Sequence, residues 1–158
     1  MLGMHPNVER VAAALKELGA KGQIVELPEA VRTAEAAAEK LGCPVGAIAN
    51  SLVFAADDAP LLILTSGAHR VDTAKAAALV GARKVRRASP EFVRQATGQP
   101  IGGVAPVGHP APIRTLVDTW LREHEVVWAA GGHPNTVFPT SFEELVRITG
   151  GTPADIGA

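Results

Sequence analysis

The 158-residue sequence predicts an α/β fold: a curled, mixed β-sheet, barrel-like, with helices packed around its outside. Three observations carry this reading. Helical segments and short strands alternate irregularly, hairpins interrupt the alternation, and one strand is an unbroken apolar run. A regular doubly wound sheet would instead alternate strand and helix along the whole chain.

The elements follow in order. Pro6 suits a first helical position, where its missing N–H costs nothing. Val8, Val11, Ala12, Leu15 and Leu18 then fall on one helical face, and Gly19 provides the stop. A short strand is expected around Gln23 to Leu27. Thr33 reads as the N-cap of an Ala-rich helix ending at Leu41-Gly42. Ser51 to Ala55 and Leu61 to Thr65 read as strands joined by the turn residues Asp57-Asp58. The run Leu61-Leu62-Ile63-Leu64 predicts a strand buried on both faces. Asp72 caps a helix over Thr73 to Val80 that Gly81 stops, and Ser89-Pro90-Glu91 opens another. Strands are expected near Arg114 to Val117, Glu125 to Ala130 and Thr136 to Phe138. Ser141 and Glu144 have capping-box spacing and start a last helix that ends near Gly150.

The length fits one domain over residues 1–158, and with 47% apolar residues a core can form without staples. No repeat or linker divides the chain. One cysteine, Cys43, excludes an internal disulfide and fits a reducing cytoplasm. The N-terminal MLGMHPNVER has no signal-peptide core, and no stretch approaches the roughly 20 apolar residues of a membrane helix. A formal net charge of −1 excludes a global basic field, and two Trp, four Phe and no Tyr make a poor platform for stacking many bases. Any RNA contact is therefore expected to be local.

Chemical motifs are sparse. There is no GxSxG elbow, P-loop, HExxH or CxxC, and the five histidines lack metal-ligand spacing, so a metal site is not expected. Cys43 reads as a small hydrophobe before a nucleophile. Three segments hold more interest. Gly102-Gly103-Val104-Ala105-Pro106 has the composition of a loop whose free amides could hold a developing oxyanion, or of an ordinary tight turn. Gly131-Gly132-His133-Pro134 fits a hairpin turn, which leaves the histidine unexplained. In Ile48-Ala49-Asn50-Ser51-Leu52-Val53-Phe54 a polar Asn leads into an apolar strand, where it could face a pocket or bond the local backbone. Arg83, Lys84, Arg86 and Arg87 form the densest basic cluster, read either as a charged sheet edge or as phosphate contacts.

Taken with Thr33 to Ala37, Ser66 to Asp72, Ala88 to Glu91 and Thr97 to Pro106, these segments resemble the YbaK/prolyl-tRNA-synthetase-associated editing family, from about Val25 to Ile156. Thr97 to Pro106 is the most specific stretch. The resemblance implies a mixed, barrel-like sheet with surrounding helices and a trans-acting aminoacyl-tRNA deacylase that hydrolyses the ester of mischarged tRNA. The implied cofactor is none. The implied partners are the tRNA acceptor end and an aminoacyl-tRNA synthetase, with no DNA and no membrane, in the cytoplasm. It makes Gly102, Gly103, Pro106 and Asn50 the candidate catalytic residues. Thr33, Ser66, Gly67, Gly131, Gly132 and His133 become candidate substrate contacts. Asn50 stands where the family usually carries a lysine, which removes a point charge but keeps hydrogen bonding. The alternative is a catalytically silent module of the same fold that binds tRNA or a synthetase.

Overall fold

The computed structural model describes residues 5–158. Helix α1 (Pro6–Glu17) starts at the predicted proline, and its N-cap is His5, whose Nδ1 accepts from the Asn7 amide at 3.0 Å. Strand β1 (Val25–Glu26) is only two residues long, shorter than the expected segment. Helix α2 (Ala34–Leu41) is capped by Thr33, which accepts from the Ala36 amide, and it leaves through Gly42 at φ 66°. A 3₁₀ turn, Val45–Ala47, leads into strand β2 (Ile48–Ala56). Strand β3 (Ala59–Ser66) returns antiparallel. Asp57 and Asp58 turn this hairpin with φ of 47° and 74°, the left-handed pair that a tight two-residue turn requires.

Helix α3 (Thr73–Val80), strand β4 (Val85–Arg87) and helix α4 (Pro90–Thr97) follow, the helices capped by Asp72 and Ser89 as expected. Strand β5 (Arg114–Asp118) runs into a 3₁₀ turn, Thr119–Glu123, and β6 (Val127–Ala130) and β7 (Thr136–Thr140) form a second hairpin. Helix α5 (Phe142–Thr149) uses half of the predicted capping box. Ser141 accepts from the Glu144 amide, but the Glu144 carboxylate accepts from the Thr140 hydroxyl at 2.7 Å and the Lys21 amide at 3.1 Å. Strand β8 (Thr152–Ala154) closes the order and has no counterpart in the sequence reading.

The eight strands make one mixed sheet in the order β1-β7-β6-β2-β3-β5-β8, with β4 paired to β2 off that path. The sheet does not close on itself; β1 and β8 remain its outer strands. Alternation along β3 explains the unbroken apolar run. Leu62 and Leu64 face a core filled by α1, α4 and α5 through Val11, Leu15, Val93, Phe142 and Leu145. Leu61 and Ile63 face the opposite way, toward α3 at Ala76 and Ala77. A smaller cluster seats α2 on Ile48 and Val137. Both faces of the sheet are thus covered by helices. Among the described residues no helix is long and apolar enough to cross a membrane.

The sheet has a break on the outer edge of β2. The outer edge of β2 is shared: β6 pairs in parallel with Ile48 and Ala49, and β4 pairs antiparallel with Phe54, Ala55 and Ala56. Between them Asn50, Ser51 and Leu52 have no strand on that side, and Val53 meets only the Ala88 amide at 3.4 Å.

Leu62 is fully buried at the middle of β3. Leu62→Ala is expected to destabilise the protein by about 2–5 kcal/mol through lost burial and the residual cavity. Denaturant unfolding followed by circular dichroism measures the effect.

Candidate active site

The break in β2 opens onto a cleft of about 780 Å³. A side cavity of about 50 Å³ adjoins it. The two share a neck formed by Arg32, Thr33, Ala34, Asn50, Ser51 and the Gly102–Val104 loop. The side cavity is walled mostly by small or branched apolar groups, among them Val31, Ala37, Ile48, Ala129 and Val137.

Hydrogen bonding decides which amides of the loop are free. The Gly103 N–H donates to the Pro100 carbonyl at 3.0 Å, and the Ala105 N–H donates to the side-chain oxygen of Gln99 at 2.7 Å. Pro106 has no N–H to offer. Gly102 and Val104 remain; neither amide has a partner within the described residues, and both residues line the neck. Gly102 sits at φ 90°, a conformation that favours glycine, and a Cβ there would be in ordinary contact with the Arg32 stem at 3.6 Å. Gly103 has a different reason to be glycine. A Cβ at that position would lie 2.7 Å from the backbone of His133 and Pro134, so the two loops touch where only hydrogen fits.

The predicted residues divide between the neck and its supports. Asn50 is half-buried, lines both spaces, and its side chain makes no hydrogen bond among the described residues. Beside it, the buried Ser51 hydroxyl has no partner either. Thr33 lines the neck while its hydroxyl caps α2. Gly67 lines the cleft, whereas Ser66 lies behind it, donating its hydroxyl to the Gly46 carbonyl at 2.8 Å. Gly131, Gly132 and His133 line neither space. Gly132 meets Val11 and the backbone of Asn7 on α1, and the His133 ring stands 4.9 Å from that of His5. Their flanking residues Ala130 and Pro134 do line the side cavity. Pro106 is buried behind the loop. Of the basic cluster only Arg87 reaches the cleft; Arg86 pairs with Asp58 at 3.1 Å, and the Asp57 carboxylate accepts from the backbone amides of Arg83 and Lys84. Cys43 lines neither space, and burial pushes its thiol up, which keeps it protonated. Among the described residues no three His, Cys, Asp or Glu side chains cluster as metal ligands would.

Residues 28–148 match the family of aminoacyl-tRNA editing domains. This chain belongs to that family. A solved structure of a protein proposed as a trans-editing enzyme for prolyl tRNA synthetase superposes with a TM-score of 0.92 at 43% identity, covering 99% of each chain. The uncharacterised Bacillus subtilis protein YwhH is 29% identical over 90% of this chain and 91% of its own length. A proline–tRNA ligase of Nitratidesulfovibrio vulgaris strain Hildenborough is 31% identical over 81% of this chain, which spans only 21% of that ligase. The mixed, helix-flanked sheet is therefore the fold of an editing domain.

Two buried polar side chains that build this editing domain's cleft went unrecognised in the sequence. Gln99, 2% exposed, accepts from Ala105 and donates to the carbonyls of Val107 and Gly108 at 3.4 Å. Its own position is held by Thr97, whose hydroxyl accepts from the Gln99 amide at 3.0 Å. Asp118, fully buried at the end of β5, accepts from the Ser66 amide at 2.7 Å, the Trp120 amide at 3.0 Å and the His69 ring. It thereby ties the cleft wall at residues 65–69 to the sheet. The only sequence signal for either was a polar residue flanked by apolar or turn residues, and nothing in spacing names its partner.

Gln99→Leu keeps most of the side-chain volume but leaves the Ala105 amide without its acceptor. It is expected to destabilise the protein by about 1–3 kcal/mol, measured by denaturant unfolding.

His109 donates from Nε2 to the Ala105 carbonyl at 2.8 Å, and burial pushes its pKa below the ordinary histidine value despite that bond. The unfolded chain then binds the proton more readily, so this contribution to stability is fully present above the ordinary histidine pKa. It is lost as pH falls from there through the lower folded value. Comparing thermal midpoints of wild type and His109→Gln from pH 7.5 down to about 5 tests this, and the wild type is expected to lose more.

Proposed function

We propose that this editing domain hydrolyses the ester between a small amino acid and the 3′ end of a mischarged tRNA, acting in trans. The observation that carries the reading is the neck, where the unbonded amides of Gly102 and Val104 share one constriction with the unpartnered side chains of Asn50 and Ser51. The Ser51 hydroxyl is buried, and buried polar groups in folded proteins are nearly always bonded, so unbonded groups gathered on one shared lining fit a ligand with several polar atoms.

The two spaces suit the two halves of an aminoacyl ester. At about 10–15 Å³ for each water-sized group, the side cavity has room for a side chain of only a few heavy atoms. The wide cleft has the size of a nucleotide site. With the amino acid in the side cavity and the terminal ribose in the cleft, the ester carbonyl lies at the neck. The Gly102 and Val104 N–H groups then donate to its oxygen as charge develops there, a contribution of about 10²–10³ in rate per donor in comparable sites. A water adds to the carbonyl carbon, the bond to the ribose oxygen breaks, and that oxygen leaves with a proton. The residues of the neck include no histidine, carboxylate or thiol, and Ser51 has no base bonded to it. The proton is therefore handled by water and the neighbouring ribose hydroxyl, and the protein contributes position and electrostatics. Similarity to proline–tRNA ligases and to the proposed trans-editing enzyme supports tRNA charged at the proline system as the source of substrate, in the compartment where translation runs.

Asn50 also separates this reading from that of a silent binding module. In the proposed deacylase Asn50 bonds the substrate, so Asn50→Ala is expected to lower hydrolysis about 5- to 150-fold, or about 1–3 kcal/mol of transition-state stabilisation. Asn50→Lys adds a charge at the neck and is expected to change which amino acid is removed. Release of amino acid from alanyl-, cysteinyl- and seryl-tRNA by wild type and both variants is the measurement. Hydrolysis by none of them on any substrate favours the binding module, and equal rates for all three remove Asn50 from the site.

A further inference from the structure

The exposed part of the cleft wall carries an asymmetry that the chain as a whole lacks. The full sequence has 15 Lys and Arg against 16 Asp and Glu. The cleft lining has Arg32, Arg70 and Arg87 against a single acid, Glu35. The three arginines come from separate parts of the fold: the segment before α2, the loop between β3 and α3, and the end of β4. All three are exposed, and none makes a side-chain hydrogen bond or ion pair among the described residues. Arg86 pairs with Asp58, Arg114 with the Val80 carbonyl, and Arg147 with Glu144 and the Leu18 carbonyl. Arg83 and Arg94 are also without side-chain partners among the described residues but lie off the cleft, so it is the shared lining that sets the three apart.

We propose that Arg32, Arg70 and Arg87 form a phosphate clamp holding the backbone of a single-stranded RNA 3′ end across the cleft. The clamp rests on reading the cleft as an acceptor-end site and specifies how that end is gripped. A guanidinium presents a planar fork of donors that matches phosphate oxygens, and it stays charged throughout the accessible pH range. Three such forks left without protein acceptors around one concave site suit an extended polyanion better than a single small anion. Arg32 has a second feature. Its stem lies over Gly102, as shown by the 3.6 Å approach to a Cβ built there, so a phosphate held by Arg32 sits beside the loop that carries the free amides. A near-neutral net charge supplies no global basic field, so attraction for RNA has to come from local groups such as these. The clamp differs from the sequence cluster: Arg87 belongs to it, while Arg83 and Lys84 lie outside the cleft lining.

The test is the salt dependence of binding to uncharged tRNA, measured by fluorescence anisotropy across a potassium chloride series. Each clamp contact that releases counterions contributes about 0.7 to the log–log slope for single-stranded RNA. Arg32→Ala, Arg70→Ala and Arg87→Ala are each expected to lower the slope by about that amount, and the triple variant by about 2. Arg83→Ala and Arg94→Ala, exposed arginines off the cleft, are expected to leave it unchanged. Removing the last three nucleotides of the tRNA should reduce the wild-type slope to that of the triple variant. Arg87→Lys keeps the charge, so it should keep the slope while weakening affinity, and unchanged thermal midpoints exclude misfolding. Equal losses in the off-cleft variants, no response to trimming, or no salt-dependent binding by wild type each overturn the clamp. Binding requires no hydrolysis, so the two readings fail separately. Clamp behaviour without ester cleavage removes the deacylase, and cleavage with unaltered slopes removes the clamp.

Discussion

A β-strand must pair its backbone on both edges or find another use for the unpaired length, and β2 is the strand on which this constraint falls. Its inner edge is fully paired with β3 from Ala49 to Ala56. Its outer edge is divided between β6 at one end and β4 at the other, leaving the stretch around Asn50–Leu52 facing a space instead of a strand. The Gly102–Val104 loop borders that space, as does the segment just before α2. The cleft is thus a vacancy in the sheet, and the residues that line it are set by where pairing stops. Had β4 or β6 been two or three residues longer, the polar groups of Asn50 and Ser51 would lie against another strand.

Rigid framing of that vacancy comes from buried polar side chains. Gln99 satisfies the amide of Ala105 and two carbonyls beyond it, and Thr97 fixes Gln99 in turn. The pattern consumes alternate amides of the loop and leaves Gly102 and Val104 free. Asp118 performs the same service on the facing wall, gathering donors from Ser66, Trp120 and His69. An unpaired carboxylate at full burial would be strongly destabilising, so these donors are the condition for Asp118 being there. Glycines complete the frame by allowing close approach: Gly103 against the backbone of His133 and Pro134, and Gly67 against the Val45 carbonyl at 2.5 Å from a built Cβ.

This architecture also engages most of the histidines. His5, His109 and His133 serve as a helix cap, a loop brace and a turn contact respectively. His69 borders the cleft, with its Nε2 bound to Asp118. The groups left without partners on the lining shared by the two spaces are amides and a hydroxyl.

Local signals in the sequence determined the helices, their caps and the central hairpin. The Thr33, Asp72, Ser89 and Ser141 caps, the Asp57-Asp58 turn and the doubly buried β3 depend on interactions within a few residues or on simple periodicity. The family was likewise legible, because Thr97 to Pro106 and the segments around it resemble that family's motifs in order along the chain. Tertiary structure alone decided which of those residues face the cleft. Gly102 and Val104 are free because Gln99 and Pro100 occupy their neighbours, and no spacing rule encodes which amide takes which partner. It also decided that Gly131, Gly132 and His133 lean on α1, and that Arg87 joins Arg32 and Arg70 at one opening while Arg86 turns to Asp58. Strand β8 escaped notice for the same reason: three residues containing a proline have no strand signature, and only parallel pairing with Leu116–Asp118 makes them one. Sequence records short-range preferences, whereas the arrangement of an active site depends on contacts between residues tens of positions apart.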